Sequence, residues 1–98
     1  MLTVAIKESP LGMLLVITDS LLLGKKFEEG RKQLDLSKDF YQGEEHSAKE
    51  VQKLIIKARH LHLTGKEAVA LGIELDLVES RNILYVQKVP HAEVVRGE

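Results

Sequence analysis

Apolar residues recur along this chain in two rhythms. Residues 3–8, TVAIKE, alternate loosely and read as a strand. Residues 13–18, MLLVIT, form a nearly continuous apolar run, the pattern of a central strand buried on both faces. The SPLG between them is a turn, because Pro10 fixes one dihedral and Gly12 supplies freedom. The pair is therefore expected to form a hairpin. In 19–30, DSLLLGKKFEEG, Leu21, Leu22 and Leu23 need cover, while Gly24 and Gly30 bracket a short irregular or single-turn segment and permit positive φ. KQLDLS, 32–37, alternates with Leu34 and Leu36 on one face and predicts a third strand. KDFYQGEEH reads as a loop that Phe40 and Tyr41 pin to the core.

Beyond residue 46 the period changes. Ser47 and Glu50 make a capping box, and Val51, Leu54, Ile55 and Ala58 follow at i, i+3, i+4 and i+7, predicting a helix with one buried face. Thr64 and Glu67 repeat the box and predict a second helix, KEAVALGIEL, apolar nearly all round and so heavily buried. GIELDLV also alternates like a strand, but the explicit start signal and the preceding alanines favour helix. ESRN is a turn, and ILYVQ and HAEVV are strands. Strands, two helices, then strands define an α+β domain over 1–98: a small mixed or antiparallel sheet of about five strands with two helices packed on one face. Leu15, Ile17, Leu54, Leu71 and Leu84 are its expected core.

Composition narrows the chemistry. Ninety-eight residues, 44% hydrophobic and 30% charged, suit one globular domain. There is no cysteine, which excludes disulfides, thiolate nucleophiles, iron–sulfur clusters and cysteine zinc sites. No stretch is long enough to span a membrane and the N-terminus lacks signal-peptide character, so a cytoplasmic protein is expected. Lys+Arg 14 against Asp+Glu 15 argues against broad nucleic-acid binding, and Phe27, Phe40, Tyr41 and Tyr85 make no evident base-stacking platform. A single asparagine, Asn82, among many Lys and Glu is thermophile-like.

Four places carry candidate chemistry. In RHLHLTG, an extended backbone would put His60 and His62 on one side and Leu61 and Leu63 on the other. Two such imidazoles hold a zinc or nickel ion if His91, His46, Glu44 or Glu45 supplies a third ligand. The competing reading is a polar rim on a short connection near a helix C-terminus, and the spacing alone assigns no metal and no cofactor. In VPHAEVVR, His91 and Glu93 would share a strand face and could act as an acid–base pair. The competing reading there is that Pro90 simply ends a turn, with His91 exposed at the start of the last strand. Gly65-Lys66 opens a helix, where free N–H groups attract anions, but no P-loop surrounds it. Lys57, Arg59, His60, His62 and Lys66 form one basic cluster, and Lys25, Lys26, Arg31 and Lys32 another, diluted by Glu28 and Glu29.

LLGKKFEEG (22–30), FYQGEE (40–45), LTGKEAV (63–69) and VPHAEVVR (89–96), in this order and spacing, resemble a small archaeal family, the domain of unknown function 424. The chain departs from it at His62, where the family often has asparagine, so no role of that amide carries over. The resemblance implies an archaeal, cytosolic setting, no established activity, and loosely a tie to translation. The expectation is a binding or adaptor module for RNA, a ribonucleoprotein or a protein, using Lys25, Arg59, His60, His62, Lys66, His91 and Arg96, and monomeric or a small homo-oligomer. The alternative is an enzyme or metal-dependent small-molecule binder centred on His91, Glu93, His60 and His62. One contiguous basic face would favour the first; a cleft gathering histidines and carboxylates would favour the second.

Overall fold

The computed structural model describes residues 1–96; Gly97 and Glu98, the end of the expected 1–98 domain, lie outside the described residues. The order is β1 (Leu2–Ser9), β2 (Gly12–Asp19), β3 (Lys26–Glu29), β4 (Lys32–Asp35), β5 (Glu44–His46), α1 (Ala48–Ile55), β6 (His60–Thr64), α2 (Lys66–Glu74), β7 (Leu84–Val86) and β8 (Val89–Val95). Six strands form one mixed sheet in the order β5-β1-β2-β6-β8-β7, so the α+β reading stands with one strand more than expected. The β1–β2 hairpin forms as predicted. β2 and β6 run parallel, a pairing made possible by the long crossover through α1. β4, the expected third strand, joins β3 in a separate two-stranded hairpin, with Gly30 at φ 61° in its turn.

The sheet has two different faces. Leu2 and Val4 of β1, Leu15 and Ile17 of β2, Leu61 and Leu63 of β6 and Ala92 of β8 point to one side. There they meet Val51 and Ile55 of α1 and Ala68, Val69 and Leu71 of α2. The other side carries Ala5, Leu14 and Val16, covered by Phe40 and Tyr41, which do pin their loop. The β3–β4 hairpin adds Leu34 and Leu36 against Val86. Leu84 departs from the expected core: it is 62% exposed, because the β3–β4 cluster that buries Val86, its neighbour on the same face of β7, does not include it. Leu54 is half-buried at the margin of the α1 contact.

The two helices begin in different ways. α1 has the expected box: Ser47 Oγ accepts from Glu50 N at 3.2 Å, and Glu50 Oε1 accepts from Ser47 N at 2.9 Å. The Thr64 box does not form. Thr64 ends β6, fully buried, and Gly65 is the helix's N-cap residue. The free N–H groups of α2 donate instead to Asp19, with Glu67 N 3.0 Å from Oδ2 and Ala68 N 2.8 Å from Oδ1. Gly65 sits at φ 108°, and a Cβ there would lie 2.2 Å from Asp19 Cγ. The carboxylate therefore reaches the helix only because residue 65 has no side chain. α2 is also less enclosed than predicted: Lys66, Glu67, Ala70, Ile73 and Glu74 face solvent.

Asp19→Ala should cost about 1–2 kcal/mol and Ser47→Ala about 1 kcal/mol in denaturant melts. Equal stability of wild type and Asp19→Ala would show that α2 does not depend on this cap. Leu71→Ala should cost about 2–5 kcal/mol, since it removes a buried side chain between α2 and the sheet; a loss under that range would place Leu71 outside the core.

Candidate functional site

Strand period fixes what β6 presents. Leu61 and Leu63 enter the helix-side core, so His60, His62 and Thr64 must emerge on the opposite face. The HLHL piece is thus a central strand, and not a short connection at a helix end. On β8, Ala92 faces the helices, so His91 and Glu93 join the histidine face. The register sets His62 opposite Glu93 and Thr64 opposite His91.

Glu93 reaches both β6 imidazoles. Its Oε2 accepts a hydrogen bond from His60 Nε2 at 2.5 Å and lies 3.5 Å from His62 Nε2. The two rings are 5.1 Å apart between centroids. His62 stands edge-on to Phe40, centroids 5.4 Å apart, so an aromatic wall closes one side of the group. His60 and His62 side chains are 12% and 20% exposed, whereas Glu93 is 51% exposed and forms the open side. His91 lies 5.8 Å from His62, ring to ring, and its Nδ1 hydrogen-bonds Thr64 Oγ1 at 2.7 Å.

Several expectations change here. Glu93 pairs with His60 and His62, while His91 takes Thr64 as its partner. His91 is the third residue of β8 and half-buried, rather than exposed at the strand's start. His46, Glu44 and Glu45 are on β5, three strands from β6, about 14 Å away at the usual strand spacing, and supply no ligand to this group. Sequence reasoning misses Thr64 as a site neighbour, although its place two residues after His62 carries the signal. It forms a hydroxyl–imidazole pair with His91, but at 0% exposure it cannot reach a substrate as a nucleophile.

The basic candidates do not gather. Arg59 and Arg96 are at the start of β6, and Lys66 lies just past its far end. Arg96 Nη1 donates to the carbonyls of Ile55 (2.6 Å) and Ala58 (3.2 Å), closing the end of α1. Lys25 precedes the β3–β4 hairpin and is exposed.

Burial lowers the proton affinity of two of these imidazoles, His62 and His91. It is the largest influence on His62 and holds it below the ordinary 6.5, with Glu93 opposing and His60 assisting. His91 is likewise lowered, by burial first and then by His62, against Glu93. Glu93 is held below 4.5 chiefly by the hydrogen bond from His60, with desolvation opposing. His62 and His91 are therefore neutral at pH 7, so each ring keeps one nitrogen lone pair. Among the described residues, His60, His62 and Glu93 form a group able to hold a metal ion, their ligand atoms all within 4.8 Å of one another.

Fold and site together define a small α+β protein with imidazoles and a carboxylate gathered on the helix-free face of a mixed sheet. The chain belongs to the family described as "Protein of unknown function (DUF424)", whose model matches residues 6–96. No curated protein matches it. Its fold is similar to the crystal structure of an uncharacterized conserved protein from Methanopyrus kandleri, with TM-score 0.77, 19% identity, and coverage of 99% of this chain and 94% of that one. Among the described residues no helix is long and apolar enough to cross a membrane.

Acid should weaken the fold through this face. His62 and His91 bind protons more readily once unfolded, so stability is present above about pH 6.5 and falls as pH drops below it. Glu93 adds a loss of the same sign at lower pH. Denaturant midpoints between pH 7.5 and 5 should fall, and His91→Gln should flatten the slope. A midpoint independent of pH over that window would contradict the burial of these rings.

Proposed function

We propose that the protein reversibly binds one divalent transition-metal ion through His60, His62 and Glu93, a reading that draws on the enzyme or metal-dependent binder alternative of the sequence but takes Glu93, not His91, as the third ligand. The observation that carries this reading is that two imidazole Nε2 atoms from one strand converge on a single carboxylate oxygen from the next. Nitrogen and oxygen donors without thiolate suit zinc, nickel, copper(II) or ferrous iron, rather than calcium or copper(I). Ligand bonds of about 2.0–2.2 Å require the donors to stand further apart than a hydrogen bond. The half-exposed Glu93 is the side chain free to swing for that.

The His60–Glu93 hydrogen bond places a proton where the metal would sit, so binding exchanges one for the other and weakens as pH falls. His60 Nδ1 is buried without a partner, so a metal on Nε2 would leave the Nδ1 proton unaccepted. An outer partner of this kind commonly contributes about 10–100-fold in affinity. This supports an exchangeable site rather than a structural one. The helix-side core includes none of the three ligands, so folding does not depend on the ion.

Calorimetric titration of metal-free protein at pH 7.5 with zinc, nickel and copper(II) should give one ion per chain. His62→Ala or Glu93→Gln should weaken it at least about 10-fold, with His46→Ala unchanged. The metal-free protein should melt cooperatively. Binding that survives the His60→Ala/His62→Ala double variant would refute the assignment.

A further inference from the structure

A second surface shares no residue with the metal group. Two adjoining depressions, of about 210 and 260 Å³, meet at Lys66, Lys88 and Pro90. The first is floored by Leu22 and Val89, with the exposed Leu21 at its rim. The second runs between α2 and the edge strand, past Ile73 and Tyr85, both exposed. Apolar surface thus flanks a pair of ammonium groups on both sides.

Neither lysine makes an ion pair among the described residues, and the two acids that line the first depression are held by other donors. Both oxygens of Asp19 hold the start of α2, and Glu67 pairs with the N-terminal amine at 3.4 Å. Lys88 is also fixed in place by its backbone. Gln87 and Lys88 form the two-residue turn between β7 and β8 at φ 50° and 69°. Glycine or asparagine usually occupies such positions, and side chains there carry strain. Gln87 N donates to Glu29 Oε1 at 2.7 Å, which ties the turn to β3.

We propose that this groove docks a short acidic, apolar segment of a partner protein, its carboxylates between Lys66 and Lys88 and its apolar side chains in the two depressions. Charge complementarity argues for that occupant: a carboxylate neutralises the lysine pair, and only flanking apolar side chains fill the rest. A nucleic-acid strand would place its phosphates on the same lysines but leave the apolar depressions unmatched.

The test is an NMR titration of the full, isotope-labelled chain with the synthetic peptide acetyl-Leu-Glu-Asp-Leu-Phe-amide. Its controls are the same peptide with Gln and Asn for the acids, and single-stranded oligo(U). The acidic peptide should shift resonances around residues 20–22, 66–73 and 84–90. Lys88→Glu and Lys66→Glu should each weaken it about 10-fold while melting as wild type. If a variant fails to fold, the amide control and added salt carry the decision on wild-type protein. Equal binding of the amide peptide, salt-insensitive binding, shifts confined elsewhere, or tighter binding of oligo(U) at these lysines would each overturn the proposal.

Discussion

The register of β6 between β2 and β8 is the constraint on which everything else rests. Its alternation of imidazole and leucine tolerates one setting. Leu61 faces Leu15 and Val94 across the neighbouring strands, and Leu63 faces Ile17 and Ala92. A slip of one residue would turn His60 and His62 into the helix-side core and expose both leucines. Buried imidazoles without partners and lost apolar burial both oppose that slip. The same setting brings Glu93 opposite His62 and within reach of His60. The leucines that hold the fold thereby position the site on the other face.

Helix starts show the difference between information held locally and information held across the fold. The Ser47 box closes within four residues, so the sequence alone makes it legible. The Thr64 sequence satisfies the same rule, yet Thr64 is held in β6 by pairing with Thr18 and His91, and α2 is capped by Asp19 from 48 and 49 residues away. Nothing near Asp19 in sequence marks it as a cap. The visible trace is Gly65, whose missing side chain makes room for the carboxylate.

The site is legible in the same partial way. Alternation shows that His60 and His62 share a face, and that His91 and Glu93 share one. It does not show that the two strands are neighbours, because pairing between residues 27 to 35 positions apart is set by topology. Hence spacing alone joins Glu93 to His91 and leaves the 44–46 segment as a source of a third ligand. Leu84 misleads for a related reason: an apolar residue in a strand reads as core, but the hairpin that covers Val86 on the same face leaves Leu84 outside its cluster. The β3–β4 hairpin is half visible, as alternation at 32–37 and glycines at 24 and 30.

The two-faced sheet also loosens the tie between stability and chemistry. Apolar packing against α1 and α2 lies on one side, so the polar group on the other can change its state without unfolding the chain. The His60–Glu93 hydrogen bond matters for that. It keeps the carboxylate over the imidazoles, so the proposed ion would find its donors already gathered, although this hydrogen bond must break and Glu93 swing outward for the ion to enter. Opposing this, His60 Nδ1 finds no acceptor in its buried surroundings. For the proposed ion, gathered donors would raise affinity, while the missing outer partner and the broken hydrogen bond would lower it. The half-exposed carboxylate would then give the proposed ion a direct path to solvent, a combination suited to exchange rather than retention.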